Sequence, residues 1–284
     1  MNEVRLRDGT SVPALGLGTV RIGDDARKRD SDVAAVRTAL RLGYRLFDTA
    51  EMYGDGGAEE VIGVALRGAI DAGEIARDDA FIVSKVLPQN ASRTGVIAAC
   101  ERSLKRLGVD AIDLYLLHWR GRFALRDTVA AFEALCVDGR IRFWGVSNFD
   151  VDDLQELEAI DAGRNCAANQ VYYSASRRGV EFDLLPHCRA RRIPLIAYCP
   201  LDEGALIKHT GLAAIGKPRA ATSAQIALSW LLRQPDVIVI PKSGKEAHLR
   251  ENLAAAQMRL AADDLAAVDR LFPPPRGKTS LAMV

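Results

Sequence analysis

Short, nearly continuous apolar runs alternate with longer amphipathic stretches along the chain. The runs are "LGLGT" (15–19), "RLFDT" (45–49), "FIVSK" (81–85), "DLYLLH" (113–118), "RFWGVS" (142–147), "ANQVYY" (168–173), "PLIAYC" (194–199) and "VIVIP" (237–241). Strands buried on both faces read this way, because neither face can tolerate a polar row. Between the runs the period changes to that of helices. In "TGVIAACERSLKRLG", Val96, Ile97, Cys100, Leu104 and Leu107 form one apolar stripe. "TSAQIALSWLLRQ" opens on a Thr222–Gln225 capping box. Gly43, Gly108, Gly139 and Gly163 follow four helical stretches, where a left-handed cap is expected.

Eight strand–helix units in 284 residues predict a closed (β/α)8 barrel, an α/β fold of TIM-barrel type. "VRLRDG" and "TSVPAL" flank Asp8-Gly9 and predict a two-residue β-hairpin before the first barrel strand. "ADDLAAVDRLF" adds a helix near the C-terminus, and residues 273–284 read as an irregular tail of one domain spanning 1–284. A doubly wound sheet would carry a glycine-rich phosphate turn after its first strand. "GLGTVRIG" fails that spacing, because Arg21 stands where the third glycine is needed.

Composition narrows the function more than the fold. Hydrophobic residues make up 49%, charged residues 26%, and the net charge is +1. Without a basic excess, neither nucleic acid nor an anionic membrane is expected as a partner. The opening "MNEVRLRDGTSVPALGLG" has no apolar run of signal-peptide length, and no stretch approaches the ~20 apolar residues of a membrane span. The five cysteines form neither a CxxC nor a zinc pattern. They read as reduced, mostly buried thiols of a cytoplasmic protein. No metal is expected. Monomer is the default.

In such a barrel the chemistry sits at the C-terminal ends of the strands. Asp48 closes the second strand, Lys85 the third and His118 the fourth, and Tyr53 lies on the loop after the second. Singly, Asp48 reads as a loop cap, Tyr53 as a half-buried amphipathic side chain and His118 as a structural histidine. Lys85 directly after "FIVS" needs a partner if it is buried. Together the four supply an acid, a charge and an orienting group on one rim.

"FDTAEMYG", "IVSK", "LLHW", "GVSNF", "NQVYY", "AYCPL" and "IPKS…EN" in this order resemble the signature of the aldo-keto reductases, from the opening hairpin to about residue 272. The resemblance implies reduction of small aldehydes and ketones by a nicotinamide cofactor, with Asp48, Tyr53, Lys85 and His118 as a catalytic tetrad. The chemistry agrees. Reducing a carbonyl leaves an alkoxide that needs a proton, and tyrosine, with a pKa near ~10, is a poor donor at neutral pH. A neighbouring Lys85 ammonium, held by Asp48, is expected to lower that pKa. A neutral His118 would orient the carbonyl.

The resemblance also assigns the cofactor side. Ser147, Asn148 and Gln170 would hold the carboxamide, and Tyr198 would stack on the nicotinamide. Thr19, Asp48, Pro200 and Leu201 would line the same groove. Lys242 and Ser243 would meet the adenosine 2′-phosphate at a helix start, with Glu251 and Asn252 at the adenine. His248 stands where NADP-preferring relatives often carry arginine. NADPH is expected, with NADH left open. Asp202-Glu203 would face the pyrophosphate and repel it unless they point away. Val20, Leu87 and Trp119 would wall the substrate pocket. Short loops and a short tail imply an open pocket for small aldehydes, dicarbonyls or aromatic aldehydes. Two alternatives remain: a non-catalytic NADP(H)-sensing barrel subunit, and a Schiff-base aldolase using Lys85.

Overall fold

The structure, a computed structural model, describes residues 2–284. It opens with an antiparallel hairpin, β1 (Glu3–Arg5) and β2 (Ser11–Pro13), in which Val4 pairs with Val12. The turn is longer than the Asp8-Gly9 dipeptide suggests. Leu6 N donates to Thr10 O and Gly9 N to Leu6 O, so the loop is Arg7–Gly9. Gly9 has φ 93°, the left-handed residue that a three-residue hairpin requires.

Eight parallel strands follow, each paired with the next. They are β3 (Leu17–Gly18), β4 (Leu46–Asp48), β5 (Phe81–Val86), β6 (Ile112–Leu117), β7 (Ile141–Ser147), β8 (Asn169–Tyr172), β9 (Leu195–Tyr198) and β10 (Val237–Val239). The first strand returns to the last. Leu15 bridges Val239, Gly18 bridges Lys242, and Gly16 N donates to Val239 O at 2.9 Å. A Cβ on Gly18 would meet Ile240 O at 2.7 Å, so closure at this seam depends on the missing side chain.

The strand runs fold as expected because both faces are covered. All six residues of β5 and of β6 are buried, and so are all three of β4. The covering helices are α1 (Arg29–Leu42), α2 (Gly57–Asp71), α3 (Arg93–Leu107), α4 (Leu125–Val137), α5 (Val151–Glu158), α6 (Leu184–Arg191), α7 (Thr210–Gly216), α8 (Ser223–Leu232), α9 (Glu246–Gln257) and α10 (Ala262–Leu271). On α3, Val96, Cys100, Leu104 and Leu107 are buried, with Ala99 and Ser103 beside them, while Ile97 sits half-buried at the edge of the stripe. The capping box of α8 forms in both directions, Gln225 N to Thr222 Oγ1 at 3.2 Å and Thr222 N to Gln225 Oε1 at 2.9 Å.

Gly43, Gly108 and Gly139 adopt positive φ at or just beyond helix ends. Gly163 does not. It starts a short 3-10 turn, where an added Cβ would lie 1.7 Å from Leu157 O. Close chain approach, not a left-handed cap, requires glycine there. Cys100, Cys166 and Cys188 are buried, Cys136 and Cys199 half-buried, and all five are free. No helix among the described residues is long and apolar enough to cross a membrane.

Candidate active site

Asp48 ends β4 beside the end of β3, and Lys85 lies one residue before the end of β5. Both side chains are buried, Lys85 completely. A fully buried ammonium needs compensation. Lys85 Nζ finds it by donating to Asp48 Oδ1 at 2.7 Å and to Thr49 O at 2.7 Å. Its third contact is the Tyr53 hydroxyl at 3.3 Å. The turn that returns Tyr53 over the rim is pinned, with Glu51 N donating to Lys85 O and Tyr53 N to Ala50 O. His118 follows β6 and meets the Tyr53 ring edge-on at 5.8 Å.

The electrostatics correct one expectation. Burial pushes the Tyr53 hydroxyl up; the Lys85 ammonium pulls it down but does not win, and Asp48 adds to the rise. Burial likewise pushes the Asp48 carboxyl up, against the pull of Lys85 and Gln170. Burial works against the Lys85 ammonium too, yet Asp48 and Tyr53 outweigh it and the net shift is upward. A lysine held charged in this way is no Schiff-base nucleophile. Burial and the Lys85 charge depress His118 to about 2, so it is a neutral imidazole at ordinary pH. Its Nδ1 is buried without a hydrogen-bond partner among the described residues.

A cavity of about 530 Å3 opens above this cluster. Thr19, Asp48, Tyr53, His118, Ser147, Asn148, Gln170, Tyr198, Pro200, Leu201 and Lys242 all line it, as do Val20 and Trp119. The strand ends carry polar groups already oriented. Gln170 Nε2 donates to Asp48 Oδ2 at 2.6 Å, Thr19 Oγ1 to Asp48 O at 2.8 Å, and the Tyr198 hydroxyl to Asn148 Oδ1 at 2.9 Å. Asn148 also donates to His118 O, which ties the β7 end to the β6 end. Asn148 and Cys199 hold φ of 59° and 46°, strained values for residues other than glycine.

Several expected residues lie elsewhere. Leu87 is absent from the cavity wall; its backbone N–H donates to Glu51 Oε1 at 2.8 Å instead, and the exposed Met52 lines the cavity. Ser243, His248, Glu251 and Asn252 continue past Lys242 into α9 and do not touch the cavity. Arg250 is committed to Glu246 at 2.7 Å. Asp202 does not face the cavity. It accepts from the Tyr172 hydroxyl at 2.6 Å, Ser176 Oγ at 2.8 Å and Arg177 Nε at 3.2 Å, and so anchors the 199–204 loop. Glu203 remains on the wall.

Other contributors carried no visible pattern. Arg21, in the turn after β3, and Ile207, in the 3-10 segment Asp202–Lys208, sit on the cavity wall, and the tail reaches back so that Met283 and Val284 line it too. Glu51, two residues before Tyr53, is buried and accepts from Leu87 N, from Asn90 Nδ2 at 2.9 Å and from Arg102 Nη2 at 3.3 Å. Its place beside Tyr53 in "TAEMYG" was the one available cue.

A barrel with a buried Lys–Asp pair beneath a tyrosine, and carboxamide-sized polar groups at the next strand ends, defines a class. Residues 14–272 match the model of the aldo/keto reductase family, and the chain belongs to that family. It is 44% identical to the methylglyoxal reductase YeaE of Escherichia coli K12, over 99% of this chain and 98% of that protein. It is 36% identical to a glyoxal reductase of Bacillus subtilis, over 95% and 92% respectively. Its structure superposes on an aldo-keto reductase from Klebsiella pneumoniae crystallised with NADPH at a TM-score of 0.94, with 45% identity and coverage of 100% and 99%.

Proposed function

We propose that this protein is an NADPH-dependent reductase of small aldehydes and α-dicarbonyls such as methylglyoxal, with Tyr53 as the proton donor. The observation that carries the reading is Lys85 Nζ held between Asp48 at 2.7 Å and Tyr53 at 3.3 Å beneath an open cavity. The relatives reported above reduce such dicarbonyls, and the superposed Klebsiella protein binds NADPH.

The residues fit that cofactor. Ser147, Asn148 and Gln170 offer amide and hydroxyl groups on one side of the cavity, and Tyr198 offers a ring. Arg21 and Lys242 supply positive charge for phosphates on the same wall. When bound, NADPH supplies the hydride. His118, neutral, donates a hydrogen bond to the substrate carbonyl and fixes its orientation. Tyr53 gives its proton to the developing alkoxide. The Lys85 ammonium stabilises the phenolate left behind, and Asp48 keeps that ammonium charged. Val20 adds little bulk to the wall it shares with Met52 and Trp119, which leaves room for small carbonyls.

A cytoplasmic monomer completes the proposal. The exposed large apolar residues Val20, Met52, Ile207, Met283 and Val284 gather at the cavity, where substrate would cover them, while Val64, Val137 and Phe182 lie on separate elements. The deciding experiment is NADPH oxidation with methylglyoxal, wild type against Tyr53→Phe, across pH 5–9. Tyr53→Phe should lose at least ~100-fold in kcat while still quenching with NADPH. The wild-type profile should show no break near the ordinary histidine value of 6.5, since His118 stays neutral throughout. Retained turnover in Tyr53→Phe removes Tyr53 from the acid role.

A further inference from the structure

A second concavity, of about 440 Å3, lies at the opposite end of the barrel from the active site. That volume is within the roughly 300–1,000 Å3 of small-molecule sites. Its walls come from segments that precede strands: Arg164 before β8, Arg191, Arg192 and Ile193 before β9, and Arg7 from the turn of the opening hairpin. Glu158, at the end of α5, is the one carboxylate in its lining.

Charge balance makes this hollow unusual. Glu158 is already shared, accepting from Arg191 Nε and from His187 Nε2 at 3.3 Å. Arg7 Nη1 donates to Arg164 O, which holds the hairpin turn against the site but leaves its charge uncancelled. Among the described residues, no carboxylate pairs with Arg164 or Arg192. Four guanidiniums and one carboxylate leave three positive charges facing one small volume, in a chain whose whole net charge is +1.

Arg192 caps α6 in the left-handed region at φ 58°, a position that glycine most often fills. The left-handed turn serves the fold, closing α6 through the Arg192 N–H to Arg189 O and Cys188 O; what the fold leaves unused is the crowding of like charge on exposed arginines around one hollow. Uncancelled positive charge gathered in a concave site points to an anionic ligand.

We propose that this hollow binds a small molecule through a pyrophosphate group, with Arg164 and Arg192 as its principal donors. The planar fork of a guanidinium matches phosphate oxygens two at a time. Adjacent phosphates bring several negative charges into a compact volume, which a single carboxylate or sulfate does not. The site is separate from the cavity above Tyr53, so occupancy does not compete with the nicotinamide cofactor. Free pyrophosphate and a nucleoside diphosphate share this chemistry.

The test is calorimetric titration of inorganic pyrophosphate into enzyme saturated with NADP+, which fills the first phosphate site. One saturable site per chain is expected, weakening as salt rises. The Arg164→Ala/Arg192→Gly variant should bind at least ~10-fold more weakly, while its kcat and KM for methylglyoxal stay within about twofold. Arg192→Gly alone should keep or raise Tm, because glycine relieves the strain, whereas a purely structural Arg192 would lower it. ADP binding as tightly as pyrophosphate supports a nucleotide source, and pyrophosphate binding alone supports the free anion. Absence of saturable binding, unchanged affinity in the double variant, or equal binding of sulfate overturns the proposal.

Discussion

The buried pair of Lys85 and Asp48 allows a prediction in which two substitutions respond to pH in opposite directions. Each single neutral substitution strands the other charge. In Asp48→Asn, Lys85 keeps Thr49 O and Tyr53 but loses its counter-charge inside a fully buried site. Its cheapest escape is to fold neutral. Measured from its ordinary value of 10.5, that costs at most about 5 kcal/mol at pH 7, at about 1.36 kcal/mol per pH unit. In Lys85→Met, Asp48 keeps Gln170 at 2.6 Å and escapes by protonation. From its ordinary 3.8 the ceiling at pH 7 is about 4 kcal/mol. Both ceilings agree with the ~3–5 kcal/mol typical of a broken buried pair.

The signs separate the two variants. In Asp48→Asn the lysine pKa falls on folding, the unfolded chain binds more protons, and stability rises with pH up to 10.5. Its loss should shrink to about 2 kcal/mol by pH 9. In Lys85→Met the carboxyl pKa rises on folding, the folded chain binds more protons, and stability falls as pH climbs from 3.8 through the folded value. Its loss should shrink to less than about 2 kcal/mol by pH 5. The double variant carries no stranded charge and should lose no more than about 2 kcal/mol. Urea unfolding followed by tryptophan fluorescence at pH 5, 7 and 9 measures all three, with an unchanged m-value as the control. Single losses below about 1 kcal/mol at pH 7, or losses that ignore pH, would refute a buried ion pair here.

Two further outcomes follow from the loops around the site. Glu51→Ala frees Leu87 N, Asn90 and Arg102, which hold the turn that carries Tyr53; kcat should fall about 10–100-fold with the Kd for NADPH unchanged, and Glu51→Gln, which keeps an acceptor for Leu87 and Asn90, should recover most of it. Asp202→Ala releases the 199–204 loop from Tyr172, Ser176 and Arg177; the Kd for NADPH by fluorescence quenching should rise about tenfold, with kcat at saturating cofactor little changed.

What could be read from the sequence divides along physical lines. The eight strands were legible because a strand covered on both faces has no polar row to hide in. Their ends shifted by a residue or two where the ladder gives way to the rim. Residues 15–19 reduce to a two-residue ladder at Leu17–Gly18 because Leu15 and Gly16 close the barrel instead, Leu15 through an isolated bridge to Val239 and Gly16 through its N–H to Val239 O. Asp48, Lys85 and His118 stood out because each ends an apolar run with a group that is costly to bury. The site's remaining parts depend on where loops land, and no period encodes that. Leu87 follows Val86 directly, yet its backbone turns to meet Glu51 and takes its side chain out of the cavity. Asp202 reads as an anion beside a phosphate groove until Tyr172, Ser176 and Arg177 claim it from two other segments. The Tyr53 expectation failed for a related reason. Sequence pairs it with an ammonium, but the balance is set by how much water the fold removes, and here desolvation outweighs the Lys85 charge. On the mechanism proposed above, Lys85 would act less by acidifying the resting phenol than by waiting beneath it. Its ammonium would gain most once the proton has left and a buried phenolate needs a partner, which is when stabilisation accelerates a reaction.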